Sequence, residues 1–90
     1  MYAPVLLFVY NRPAHVRRTV EALRANLLAA ESDLYVYSDA AKDESSLEAV
    51  REVRTYVRHI DGFRSVTVVE RPQNWGLARN IIDGVTTHVN

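Results

Sequence analysis

The chain of 90 residues has no cysteine, no excess of charge of either sign and no long apolar run. Without cysteine there is no disulfide framework, thiolate metal site or cysteine nucleophile. Lys and Arg together number 11, as do Asp and Glu, so the positive field of a nucleic-acid binder is missing. The first apolar run, of about seven residues, is far shorter than the roughly 20 that span a bilayer. We therefore expect a cytoplasmic chain that binds no nucleic acid and has no transmembrane segment.

Two kinds of site motif are also missing. The first strand-to-helix turn contains no Gly-x-Gly, which argues against a Rossmann dinucleotide binder. His15, His59 and His88 have no partner at the spacing of metal ligands, so we expect no zinc site.

Three strand-like apolar runs alternate with three stretches of helical spacing. The runs cover residues 5–10, 34–39 and 65–70, and the first is continuously apolar, which is typical of a strand covered on both faces. After each run, apolar residues recur every three or four positions. The three stripes are Val16, Val20, Leu23 and Leu27; Leu47, Val50, Val53, Val57 and Ile60; and Leu77, Ile81, Val85 and Val89.

Local signals mark the helix boundaries. Pro13 suits the first turn of the first helix. Ser45 and Glu48 have the spacing of a capping box for the second helix, and the Asp61-Gly62 pair marks the stop after it. Gly84 weakens the third helix by up to about 1 kcal/mol relative to Ala.

This alternation predicts an α/β fold: one partial domain over residues 1–90, a three-layer βαβαβα half of a Rossmann-like sheet with parallel strands in the order 3-2-1. In a full doubly wound sheet the first strand is central, so here residues 5–10 would form an open edge. We therefore expect a chain truncated before a fourth strand, or one that forms a homodimer through its first strand.

Polar residues follow each run. Asn11 and Arg12 follow the first, Asp39 ends the second, and "RPQNWG" follows the third. Open α/β sheets bind ligands at the carboxyl ends of their strands, so these residues predict a binding site. They also have a structural explanation, because Asn, Asp, Pro and Gly are the residues that end strands and form turns. From the residues alone, both interpretations stay open.

Three segments, in this order, resemble the nucleotide-binding half of inverting GT-A glycosyltransferases of family 2: "PVLLFVYNRPAHVRRTVEAL", "LYVYSDAAKDE" and "ERPQNWGLARNIIDGV". The chain is also similar to the N-acetylglucosaminyltransferase I type, whose members add N-acetylglucosamine to glycoprotein cores. The resemblance covers essentially the whole chain. It implies a GT-A fold and a nucleoside diphosphate sugar as the ligand, usually UDP-linked and sometimes GDP- or TDP-linked.

The resemblance also implies roles for individual residues. Val9, Tyr10 and Asn11 would line the base and ribose. Arg12 would reach toward the diphosphate, and Asp39 would accept a hydrogen bond from uracil. These roles suit the chemistry, since a carboxylate accepts an imide N–H and a guanidinium pairs with phosphate oxygens. The segment that closes the pocket in the family is matched by Asn74, Gly76, Arg79 and Asn80.

Two parts of the family's site have no counterpart in the sequence. The family's Asp-x-Asp motif, which holds Mg²⁺ or Mn²⁺ across the diphosphate, is missing. By the resemblance, the catalytic base and the acceptor site lie beyond residue 90. We therefore expect no catalytic or metal-binding residue here, and a chain that binds the donor but is inactive alone. The alternative function is that of a non-catalytic, flavodoxin-like interaction or regulatory module, dimeric through the first strand.

Overall fold

Three strands alternate with three helices along the chain. The structure, a computed structural model, describes residues 4–26 and 28–89, with the backbone alone for residues 88 and 89. The elements are β1 (Val5–Val9), α1 (Pro13–Arg24), β2 (Asp33–Ser38), α2 (Leu47–Val57), β3 (Ser65–Glu70) and α3 (Leu77–Val89). Each predicted strand and helix is present, with small shifts at the ends.

The strands form one parallel sheet in the order β1-β2-β3. Leu7 of β1 is aligned with Val36 of β2, which is aligned with Val68 of β3. The predicted α/β class and the 3-2-1 order are thereby confirmed. Within the described residues β1 pairs with β2 alone, so its other edge is open.

One face of the sheet carries the aliphatic core. Because successive side chains of a strand point to opposite faces, Leu34 and Val36 of β2 lie on the same face, and both are fully buried. They pack with Val20 of α1 and with Val53 and Val57 of α2. The two helical stripes predicted from the sequence therefore cover this face together.

The opposite face is covered by α3 and packs differently. Phe8 of β1 and Tyr37 of β2 stack with their ring centroids 5.4 Å apart. Gly84 of α3 lies directly against both rings, since a Cβ there would be 3.1 Å from Cζ of Phe8 and 3.2 Å from Cε2 of Tyr37. Gly84 therefore has a packing role that its low helix propensity conceals.

Two helix boundaries differ from the predictions. Ser45 and Glu48 do not form a capping box: a 3₁₀ turn over Glu44–Ser46 precedes α2, and the Ser45 hydroxyl donates to Oδ1 of Asp43 at 2.5 Å. The helix ends at Val57, before the predicted stop at Asp61 and Gly62. Leu27, at the end of the first predicted stripe, lies outside the described residues.

The apolar stripe of α3 shares a face, as predicted, but that face is exposed. Leu77 is 66% exposed, and Ile81 and Val85 are 40% and 45% exposed. Ile82 next to them is 67% exposed. The residues that α3 buries are instead Asn80 and Gly84, which contact the buried Arg71 and the rings of Phe8 and Tyr37.

Candidate functional site

The carboxyl ends of the three strands meet at one edge of the sheet. Backbone hydrogen bonds continue the sheet one residue further, from N of Asp39 to O of Val9 at 3.1 Å and from N of Arg71 to O of Ser38 at 2.9 Å. Arg54 of α2 fixes this edge from below, donating to Ser38 Oγ at 3.1 Å, Ser38 O at 3.2 Å and Arg71 O at 2.8 Å. These hydrogen bonds fix the positions of the first loop residues relative to the strands.

Asp39 is the centre of the loop cluster. The residue is 5% exposed, and its carboxylate accepts four hydrogen bonds. Oδ1 accepts from N of Ala40 at 3.0 Å and from N of Trp75 at 2.8 Å. Oδ2 accepts from N of Gly76 at 2.9 Å and from Nδ2 of Asn74 at 3.2 Å. The carboxylate therefore ties the loop after β2 to the loop after β3.

Gly76 is required by the backbone of this loop. Its φ is +83°, a conformation that side-chain-bearing residues rarely adopt, and nothing lies within 4 Å of the position of a Cβ. The glycine lets the loop turn so that two successive N–H groups, of Trp75 and Gly76, both point at Asp39.

A cavity of about 290 Å³ opens between these loops. It brings together six of the predicted site residues with four that were not predicted. The predicted ones are Val9, Tyr10, Asp39, Asn74, Gly76 and Asn80, and the others are Phe8, Tyr37, Lys42 and Leu77. The walls are thus aromatic and aliphatic on the β1 side and polar on the loop side. Burial raises the pKa of the Tyr37 phenol above 10.0, so this wall stays neutral.

Tyr10 and Lys42 form the mouth of the cavity. The Tyr10 hydroxyl accepts a hydrogen bond from the backbone N–H of Lys42 at 3.0 Å, which holds the loop after β2 against β1. The Lys42 side chain is exposed, and it is the one cation among the residues that line the cavity. Because an ammonium group lies at the opening and a carboxylate is buried inside, the site suits a ligand whose negatively charged part lies at the opening.

Arg71 organises the third loop and was not predicted. It is 7% exposed, and it donates to Oδ1 of Asn80 at 2.9 Å and to Oδ2 of Asp83 at 2.6 Å. Its guanidinium lies 3.8 Å from the centre of the Trp75 ring and 5.1 Å from that of Tyr37. Asp39 was predicted because ligands bind at the carboxyl ends of the strands. The same reason applies to Arg71, because Arg71 directly follows β3.

Asn80 works together with Arg71. It accepts from Arg71 through Oδ1 and donates from Nδ2 to O of Gly76 at 2.9 Å. Both ends of its amide are therefore engaged in positioning the loop before α3.

Three predicted residues do not line the cavity. Nδ2 of Asn11 lies 3.5 Å from Oγ of Ser46 and contacts the start of α2. Arg12 immediately precedes α1. It is exposed, and its side chain makes no capping hydrogen bond to that helix. Arg79 is exposed, with its guanidinium 4.1 Å from the centre of the Trp75 ring. Their predicted contacts with a nucleotide stay predictions.

Among the larger depressions, one of about 460 Å³ lies between α1 and α2, and one of about 670 Å³ lies along α2. Of the arginines that line them, Arg51 is paired with Glu48 at 3.2 Å and Arg58 with Glu70 at 2.8 Å, and the latter pair lowers the pKa of Glu70. We favour the smaller cavity as the site, because all three strand-end loops and a buried carboxylate meet there.

The described residues contain no cluster of the side chains that most often hold a metal ion. No group of three His, Cys, Asp or Glu side chains comes together in that part of the chain. The divalent metal that family-2 glycosyltransferases generally use therefore does not fit the donor set present here. In the same part of the chain, every helix is too short or too polar to cross a bilayer.

A parallel, three-layer α/β unit with its loops gathered at the carboxyl edge is the nucleotide-binding type of half-domain. The chain matches the model of the family "Glycosyl transferase family 2" over residues 5–87, and it therefore belongs to that family. The predicted family-2 GT-A identity is confirmed. Comparisons with curated proteins and with solved structures gave no match. The similarity to the N-acetylglucosaminyltransferase I type stays a prediction.

Proposed function

We propose that the chain binds a nucleoside diphosphate sugar, with UDP as the nucleotide, in the cavity at the carboxyl edge, as the donor half-site of a glycosyltransferase. Membership of family 2 supports sugar transfer in general. The observation that carries the proposal is the buried Asp39 carboxylate in a cavity of about 290 Å³ with aromatic walls and a lysine at its mouth.

The cavity offers a suitable surface for each part of the donor. A base fits between the β1 wall at Val9 and Tyr10 and the loop of Gly76, with Asp39 as the acceptor of its ring N–H. Lys42 lies where a diphosphate would leave the cavity, and its ammonium would pair with phosphate oxygens. Arg12 and Arg79 are outside the cavity, so they reach the ligand only through the parts that project from it.

We assign no catalytic residue to the chain, and we propose that it is inactive alone. The metal of the complete site, Mg²⁺ or Mn²⁺, would take its ligands from outside the described residues. Such a metal neutralises the developing charge on the diphosphate leaving group when bound. The residues described here bind and orient the nucleotide. A cytoplasmic location stays a prediction from the sequence.

The test is a calorimetric titration of UDP into the chain and into two matched glycine variants, with and without Mn²⁺. Gly76→Ala and Gly62→Ala both place a side chain at a positive φ, of +83° and +88° respectively, so their backbone strain is similar. Gly62 lies near Arg24, away from the cavity. We expect Gly76→Ala to weaken UDP binding about tenfold, the effect of roughly 1.4 kcal/mol, and Gly62→Ala to leave it unchanged. No binding of UDP at millimolar concentration, or equal binding by all three proteins, would contradict the proposal.

A second candidate function is that of an interaction module in which two copies associate through β1 and the exposed face of α3. The exposed face of α3, with Leu77 and Ile82 about two-thirds exposed, and the open edge of β1 favour it. Sedimentation equilibrium tests it: a concentration-dependent dimer that Ile82→Glu abolishes would support it, and a monomer throughout would argue against it.

A further inference from the structure

The Asp39 carboxylate has no free acceptor site in the structure. A carboxylate offers about four lone-pair positions on its two oxygens, and four N–H donors already occupy them. A base that donates a hydrogen bond to Asp39 must therefore replace one of the four.

The four donors are not equally replaceable. Three are backbone N–H groups, of Ala40, Trp75 and Gly76, at 2.8–3.0 Å, and they are fixed by the fold of the two loops. The fourth is the side-chain amide of Asn74, which has the longest distance, 3.2 Å. Asn74 is exposed and its side chain can rotate away without moving the backbone.

Releasing Asn74 also costs little elsewhere. Its other hydrogen bond, from Nδ2 to O of Ala40 at 2.9 Å, lies at the surface, where water can take the place of the amide. The side chain lines the cavity, so its departure enlarges a space that is small by the standard of ligand pockets, which measure roughly 300–1,000 Å³.

We propose that Asn74 is an internal competitor of the base: in the free protein its amide occupies the acceptor position on Oδ2 of Asp39 that a nucleobase ring N–H takes on binding. The inference rests on the proposed function and assigns Asn74 a role in setting the affinity for the base. Uracil has an N–H at N3 and can replace the amide, whereas N3 of cytosine carries no hydrogen and cannot. The exchange conserves the number of hydrogen bonds to Asp39 for uracil and loses one for a cytosine placed in the same way, so UDP binds more tightly than CDP.

The experiment compares UDP and CDP binding to the unchanged chain, to Asn74→Ala and to Gln73→Ala. Asn74→Ala removes the competitor, so we expect UDP to bind about twofold to tenfold more tightly, the range for one net hydrogen bond. CDP must displace the same amide, so it should gain by a similar factor and should bind more weakly than UDP to all three proteins. Gln73→Ala is the control, because it truncates an exposed amide in the same loop with no hydrogen bond shown to Asp39.

Trp75 is the only tryptophan, and it follows Asn74 directly, so its fluorescence reports both binding and the state of the loop. An unchanged emission of ligand-free Asn74→Ala shows that the loop is intact. If UDP then binds the variant equally or more weakly, or if UDP binds Gln73→Ala as tightly as Asn74→Ala, the competition is wrong while the proposed function stands. If UDP binds none of the three proteins, both are overturned.

Discussion

The two faces of the sheet are packed by different means. Under α1 and α2, the core is aliphatic, and Leu34, Val36 and Val53 are fully buried. Under α3, the contacts are a stacked pair of rings, a buried Arg71 with Asn80, and a glycine pressed against the rings. The first face depends on the apolar area that is buried, which similar aliphatic side chains can provide. The second depends on specific polar partners and on the close approach of Gly84 to the rings. The candidate site is built on the second.

The largest expected effect comes from breaking the aliphatic face. Leu34→Ala should lower the free energy of unfolding by about 2–5 kcal/mol, because it leaves a cavity among fully buried side chains. Leu77→Ala removes the same atoms from the α3 face, where the residue is 66% exposed, and should change stability by less than about 0.5 kcal/mol. Urea denaturation of both variants measures the difference, and similar losses in the two would contradict the comparison.

On the polar face, Asp39→Asn tests how much one carboxylate contributes. An amide has one acceptor oxygen in place of two, so two of the four N–H donors would face its NH₂ group. We expect a loss of about 2–3 kcal/mol, the cost of leaving buried donors without partners.

The change should be local to the loops. Trp75 donates to Asp39 through its backbone, so its fluorescence in Asp39→Asn should shift toward that of an exposed indole at denaturant concentrations that leave the far-UV circular dichroism unchanged. Coincident loss of both signals would show that the loops have no separate stability.

Gly84→Ala has two opposite effects on stability: the higher helix propensity of Ala stabilises the chain, and its Cβ disturbs the packing. In an isolated helix, Ala stabilises by up to about 1 kcal/mol over Gly. Here the added Cβ would be 3.1–3.2 Å from the rings of Phe8 and Tyr37, which costs about 1–3 kcal/mol in a packed interior. We expect a net loss of about 1–2 kcal/mol in thermal or urea denaturation. Phe8→Leu in the same protein should recover part of it, and a more stable Gly84→Ala would show that the rings move aside freely.

The aliphatic face was predictable from the sequence, and the polar face only in part. The stripes of α1 and α2 define their buried sides because aliphatic residues recur at the helical period. The stripe of α3 does not, since Asn80 and Gly84 contact residues outside their own helix, namely Arg71 after β3 and Tyr37 in β2. A pattern within one helix carries no information about such partners.

The site shows the same division. Asp39 was found because it ends a strand, and that position is local information. Tyr10 was assigned to the site by the resemblance alone. Arg71 has the same position as Asp39 but was interpreted as part of a loop, and the role of Lys42 depends on the hydrogen bond from its N–H to the Tyr10 hydroxyl, 32 residues away. Arg12 and Arg79 were placed in the pocket by resemblance, whereas the structure leaves both side chains exposed outside the cavity.

The smallest expected effect concerns Asp33. This residue begins β2, whereas Asp39 follows the end of the same strand. Hydrogen bonds from Arg64, at 2.9 Å from Nε and 2.5 Å from Nη2, lower the pKa of Asp33 from 3.8 to about 2, with help from the Ser65 hydroxyl at 2.7 Å. Since the pKa is lower in the folded chain, this stabilisation is fully present above about pH 4 and is lost as the pH falls toward 2.

Asp33→Asn should therefore be slightly less stable than the unchanged chain at neutral pH, with a difference that shrinks below pH 4 and vanishes near pH 2. The effect is small because Arg64 and Asp33 meet at the surface, where water screens the pair. Urea midpoints measured from pH 2 to 7 give the profile, and in an Arg64→Gln background the substitution should lose its pH dependence. A difference that stays constant with pH would mean that Asp33 acts through the geometry of the strand end and that its charge contributes nothing.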